Sequence, residues 1–439
     1  MRTFQIESEK RYRLIFDPHA YVFVCDRAVL LYNSLSGRAL VSFGTPRISL
    51  RVTSWTSNRR ADVIELSGQE LCEDSEYREF VQTVREELIA DVVEVNESCV
   101  PPFQFPRIAE KEETFPDMTR NVTSAGERAL RKLNIYLNGD CGQRCKFCES
   151  AYRQFPCCGM FEAGQDLDAK HLECILGWAS GRSVSLAFLG GNVFYYPHLA
   201  LLAKLLTIRP SSLPVEFYAH CLNVLANKER LAALSEWGAV LRVLVPQETP
   251  NRVVETVHNA TRAARVSARF DFILEKNEDY RRASRLAKKI GIEKFAFRPF
   301  YNGQNRKYFE KYVFLSAEDI LVNKPSLVVI RANSLLNRSA FGTLFVSSSG
   351  TFYSNAVSEP LGNVAEYSVA EAASKELADG HVWKRTRGQV EPCRACVFQN
   401  LCPPITGYED ALGRNNLCNV LNAHPGKRLI VLNAPLQNN

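Results

Sequence analysis

Cys141, Cys145 and Cys148 stand at C-x3-C-x2-C spacing just after the apolar run Leu133–Asn138, with Phe147 before the last cysteine. Three thiolates this close in sequence can hold three irons of a [4Fe–4S] cluster. Such clusters usually take four cysteines. A missing fourth ligand leaves one iron open to a small molecule, by the logic that separates open catalytic zinc sites from closed structural ones. A zinc knuckle is the competing chemistry, but zinc sites normally take four ligands and no nearby histidine completes this one. A second group, Cys393, Cys396, Cys402 and Cys418, has C-x2-C-x5-C spacing with one more cysteine downstream. Four thiolates close a set for one [4Fe–4S] cluster or for zinc, and spacing alone favours neither. Gly190-Gly191 gives backbone with no side chains in the way of a ligand. Cys157-Cys158 read as an ordinary loop pair, and Cys25, Cys72, Cys99, Cys174 and Cys221 as buried free thiols.

The elements that must position these residues fall into three regions. Residues 131–310 alternate strands, expected at Leu133–Asn138, Val184–Leu189, Val215–Ala219, Val240–Val245, Arg269–Leu274 and Lys294–Pro299, with helices such as Leu172–Trp178 and Asp279–Ile290. This order predicts a parallel α/β sheet. Right-handed crossovers curl such a sheet into a full or partial barrel, with its site at the C-terminal strand ends. Both Cys141–Cys148 and Gly190-Gly191-Asn192 follow strands on that face. Residues 1–106 open with strand-like runs at Arg11–Phe16, Ala20–Cys25, Ala28–Tyr32 and Arg47–Val52. A helix over Glu76–Ile89 follows, with Phe80, Val81, Val84 and Leu88 at helical spacing. Residues 107–130 read as a linker with a short helix near Ala125–Arg131. Residues 311–439 carry a hairpin signal around Ser348-Ser349-Gly350 and then the second cysteine group.

The chain has 439 residues, 46% hydrophobic and 23% charged, with a net charge of +6, values ordinary for a globular protein of two or three domains. No dense Lys/Arg stripe argues for nucleic acid. The charged N-terminus lacks a signal-peptide core, and no apolar run approaches the ~20 residues that span a bilayer. A cytoplasmic location is expected, with no membrane partner. There the grouped members of its fourteen cysteines are metal ligands rather than disulfides.

The first cysteine motif with Phe147 resembles the signature of the radical S-adenosylmethionine (SAM) superfamily. The resemblance implies a partial (β/α)6 TIM-like barrel. Cys141, Cys145 and Cys148 would hold a [4Fe–4S] cluster whose open iron chelates SAM, and Phe147 would contact adenine. Gly190, Gly191 and Asn192 stand where a Gly-Gly-Glu run binds the SAM amino group, with Asn192 replacing Glu. The stretch Arg269–Asn277 resembles one that lines adenosine. The Gly350 hairpin, Leu361-Gly362-Asn363, Trp383 and the second cysteine group resemble the SPASM/twitch extension. That similarity implies one auxiliary [4Fe–4S] cluster, because Thr406 stands where a further cysteine is expected. The β-rich, then helical N-terminal order resembles the α+β peptide-recognition domain of peptide maturases, which binds a leader as an added strand. The implied activity is hydrogen abstraction from a ribosomally made precursor peptide, closing a thioether or C–C cross-link. The implied electron donor is a reductase such as flavodoxin or ferredoxin. Two alternatives stay open: a formylglycine-forming enzyme of the anaerobic sulfatase-maturing type, and a catalytically weak partner that presents peptides to another maturase.

Overall fold

The computed structural model describes residues 5–25, 28–44, 46–57, 63–95, 122–143, 145–159, 161–162, 164–208, 215–420 and 429–433. The N-terminal strands are β1 (Arg11–Phe16), β2 (Ala20–Cys25), β3 (Ala28–Asn33), β4 (Arg38–Phe43), β5 (Val63–Ser67) and β6 (Ala90–Glu94). They divide between two antiparallel sheets. One has the order β5-β1-β6, and the other contains β4-β3-β2.

The run Arg47–Val52, expected as a strand, lies in the helix Pro46–Ser57. Its buried residues Ile48, Val52 and Trp55 recur at helical spacing while Leu50 is 70% exposed, so the apparent alternation is the edge of an amphipathic stripe. The proline at the first helical position has no N–H to lose. The next long helix, Ser75–Glu86, starts where the Asp74 side chain accepts from Tyr77 N. It buries Phe80, Val81 and Val84 and ends before Leu88, which has φ +57 and is exposed.

The barrel strands are β7 (Lys132–Tyr136), β8 (Ser185–Leu189), β9 (Val215–His220), β10 (Ala239–Val245), β11 (Ser267–Leu274) and β12 (Phe295–Pro299). Each lies parallel to its sequence neighbour, as the alternation with helices requires. The strand alternation of side chains separates two environments. Leu186, Phe188, Phe217, Leu241, Val243, Phe270 and Phe272 meet the helices on the outer face, including Leu172, Leu202, Val254 and Leu286. Tyr136, Ala187, Leu189, Tyr218, Leu244 and Ile273 turn inward with Phe147 and Phe300. The helix Asn277–Ile290 is typical of the outer layer. Asp279 accepts from the backbone N–H groups of Glu275 and Lys276 at its start. Gly291, at φ +71, ends it in a left-handed turn that glycine adopts without steric cost.

The sheet continues past the barrel through β13 (Thr343–Val346), β14 (Thr351–Tyr353) and β15 (Gly362–Asn363), with β13 parallel to β7. β16 (Leu429–Asn433) pairs antiparallel with β4 and completes a four-stranded sheet, β16-β4-β3-β2. Leu30, Tyr32 and Val41 therefore share a core with Ile320, Ile330, Val397, Phe398 and Ile430. Of the expected linker, residues up to 121 lie outside the described residues, and the helix Val122–Ala129 follows. Among the described residues no helix is long and apolar enough to cross a membrane.

Candidate active site and a second cysteine centre

The loop after β7 is bound to the loop after β8 by backbone and side-chain hydrogen bonds. Asn192 N donates to the Asp140 carbonyl at 2.8 Å, and Asn138 Nδ2 donates to the Asn192 carbonyl at 2.8 Å. The chains approach so closely that only glycine fits between them. Gly190 and Gly191 have φ of +82 and +55. A Cβ on Gly190 would stand 2.9 Å from the Asn138 carbonyl, and one on Gly191 would collide with that of Asp140. A third anchor comes from the helix Cys221–Ala226, where Asn223 Oδ1 accepts from Gln143 Nε2 at 2.7 Å. The structure thus brings Cys141, Cys145, Cys148, Gly190 and Gly191 together at the C-terminal mouth of the barrel strands.

Burial pushes the Cys141 thiol up, while the Asn223 side chain favours its thiolate. Cys145 and Cys148 form a thiol pair. The hydrogen bond from Cys145 lowers the Cys148 thiol, and Cys145 is correspondingly raised. Among the described residues no group of three or more His, Cys, Asp or Glu closes on a single metal ion. A cubane attaches each thiolate to a different iron, a wider arrangement than the ligand set of one ion. The donor chemistry fits such a group, and the glycine pair holds the loop after β8 tight against the cysteine loop.

Asn192, expected to meet that ligand, is 1% exposed, and its Oδ1 accepts from Phe194 N at 3.2 Å. It caps the short turn Val193–Tyr195. Asn138 was missed in the sequence. It is buried beside Gly191, and its Oδ1 has no hydrogen-bond partner. Its one sequence signal is a polar residue just past an apolar strand. Phe147 is buried edge-on to Phe300, ring centroids 6.0 Å apart. Cys157 and Cys158 are also buried here, beside Tyr136 and Phe147, and burial drives Cys157 up to about 12.

Below the mouth, the inward positions of the barrel are charged. Lys132 meets Glu216 at 2.9 Å, Arg242 meets Asp271 at 2.9 Å, and Arg298 stands 3.7 Å from Asp271. Burial opposes ionisation of Glu216, but Lys132 and Arg242 outweigh it and hold the carboxyl below its usual range. His220 caps the helix Cys221–Ala226 by accepting from Leu222 N at Nδ1. Burial lowers its pKa to about 4.

Cys393, Cys396, Cys402 and Cys418 line one cavity, walled by Ile320, Phe398, Leu417 and Val420. Burial raises the Cys396 thiol to about 11 and the Cys402 thiol further. Arg387 also lines this cavity, and four sulfurs that do not close on a single ion fit a four-thiolate cluster, each sulfur on a different iron. The two cysteine centres are joined by packed helices. The helix Cys148–Gln154 lies against the helix Gly407–Leu412, where a Cβ on Gly407 would collide with the Arg153 carbonyl.

Residues 135–315 match the Radical SAM superfamily. No curated protein matches the chain. Among solved structures, Streptococcus suis SuiB bound to S-adenosylmethionine is similar at 12% identity and a TM-score of 0.43, over 92% of this chain and 97% of that one. SuiB bound to its precursor peptide SuiA is similar at 13% identity and a TM-score of 0.40, with the same coverage. The chain carries a radical SAM domain over residues 135–315, the kind of domain that binds S-adenosylmethionine at a [4Fe–4S] cluster.

Proposed function

We propose that the chain modifies a ribosomally made peptide by hydrogen abstraction, closing a thioether or C–C cross-link. The observation that carries the reading is the meeting of the Cys141–Cys148 loop with Gly190-Gly191 at the mouth of the parallel strands. When bound there, the cluster and SAM supply a carbon-centred radical able to take hydrogen from an unactivated C–H bond. Cys141, Cys145 and Cys148 hold the irons. Gly190 and Gly191 would hold their loop tight against the cysteine loop beside the methionyl group, and Asn138 Oδ1 would accept from its ammonium, the role the resemblance gives to Asn192. The buried rings of Tyr136, Phe147 and Phe300 keep water from the site. Cys393, Cys396, Cys402 and Cys418 would hold a second cluster able to supply or accept an electron, and a reductase such as flavodoxin or ferredoxin would be the electron donor.

The peptide enters as an extended segment. Among the described residues, β5 and β6 are the outer strands of the three-stranded sheet, and β16 and β2 are those of the four-stranded one. Outer strands present unpaired backbone groups that can pair with an added strand.

Anaerobic protein given SAM and dithionite is expected to make 5′-deoxyadenosine, and the joint Ala variant of Cys141, Cys145 and Cys148 to make none. Asn138→Leu is expected to weaken SAM binding about tenfold, the loss of one charge-assisted hydrogen bond. Calorimetric titration of SAM into iron-loaded protein measures it, and unchanged affinity removes Asn138 from the site. One observation favours a second reading, a peptide-presenting partner: Asn192 spends its side chain on a cap. Iron-loaded protein that cleaves no SAM would support that reading instead.

A further inference from the structure

We propose that Arg387 sets the reduction potential of the centre formed by Cys393, Cys396, Cys402 and Cys418, holding a fixed positive charge and an N–H donor against the ligand sulfur. The inference rests on the reading of that cysteine set as an iron–sulfur cluster. Arg387 is 7% exposed. Its NH1 donates to Cys393 Sγ at 3.7 Å and to the Asn415 carbonyl at 3.1 Å. Its Nε donates to the Pro403 carbonyl, and its NH2 donates to Glu409 Oε1 at 2.7 Å. Bonds on three sides of a planar fork leave the guanidinium no room to swing away.

Stability gives little reason for this arrangement. A buried ion pair gains little over well-packed apolar residues of the same volume, because both charges lose water. An electron-accepting centre does give a reason. Each electron adds one negative charge to a site already carrying four thiolates, in a pocket where charge is poorly screened. A cation beside the ligands, with an N–H aimed at sulfur, favours the reduced state and raises the potential. Glu409 is 2% exposed and works in the opposite direction. It holds the arginine in place, and its negative charge partly cancels the cation. Glu409 sits on the helix that packs against the one beginning at Cys148.

The test uses the full chain with Cys141, Cys145 and Cys148 replaced by Ala, reconstituted anaerobically so that only the C-terminal centre holds iron. The midpoint is read by potentiometric titration followed by electron paramagnetic resonance. Arg387→Gln should lower the midpoint, Arg387→Lys should lower it less, and Glu409→Gln should raise it. Shifts of opposite sign at the two partners are not expected from loosened packing alone. If Arg387→Gln cannot hold iron, the Lys and Glu409→Gln variants decide the matter. Retained iron with a midpoint unmoved, or moved the same way by all variants, overturns the role of Arg387 and leaves the cluster reading intact. Zinc in place of iron overturns the cluster reading, and this proposal with it.

Discussion

His220 shows what burial does to a single group in this barrel. Its folded pKa of about 4 lies below the ordinary 6.5 because the imidazolium is desolvated. Between these values the unfolded chain binds a proton that the folded chain refuses. The contribution is complete above pH 6.5, declines as pH falls and is lost near pH 4, about 3 kcal/mol in all. Urea denaturation at pH 7.5 and pH 4.5 measures it. His220→Asn, which keeps a capping acceptor, should lose less stability on acidification than the unsubstituted protein. Asp271 gives a second prediction of this kind. Its side chain is 2% exposed against Arg242, so Asp271→Ala leaves a buried guanidinium without its main partner and should cost about 3–5 kcal/mol. A loss under 1 kcal/mol in urea denaturation would show that water already reaches the pair. Neither residue was legible in the sequence, where each is one polar position in an apolar run. The same holds for Asn138. Its free Oδ1 depends on Gly191, more than fifty residues away in the chain. The cysteines were legible because metal ligands are constrained by local spacing as well as by the fold.

Elements differed in how plainly the sequence announced them. The six parallel strands lie within two residues of their expected ends, because strands covered on both faces read as apolar runs between turn signals. β4, β5, β6 and β16 fall outside the expected strands, and Arg47–Val52, whose alternation suggests a strand, is helical. A short run of alternating residues fits both periods until the neighbour it packs against is known. The loops after β7 and β8 offer the sharpest test of an element. Gly191→Ala places a methyl against the Asp140 carbonyl at positive φ. It should part the two loops and abolish iron retention at the first cysteine group while the protein stays folded. Circular dichroism and iron analysis check both parts, and normal iron content would show that the loops tolerate separation.

Taken whole, the chain closes on itself in a way its order conceals. β16 pairs with β4, nearly four hundred residues apart, and no local pattern encodes that partnership. Removing residues 429–439 should uncover Leu30, Tyr32 and Val41, which share a core with Ile430, and make the N-terminal sheets susceptible to limited proteolysis, with the barrel protected. Equal resistance of both parts would mean that β16 adds little. It follows that deleting residues 1–106 strips a core shared with residues 317–432, so a peptide-binding test is cleaner with substitutions on an outer strand. The packed helices Cys148–Gln154 and Gly407–Leu412 join two cysteine centres into one unit, which fits an enzyme that uses both. The most direct measurement is metal content together with SAM cleavage in anaerobically purified protein. It should contain roughly eight irons, four for each cubane cluster, and convert SAM to 5′-deoxyadenosine under dithionite. The joint Ala variant of Cys141, Cys145 and Cys148 should keep about four and make none. Zinc without iron, or 5′-deoxyadenosine undiminished in that variant, would contradict it.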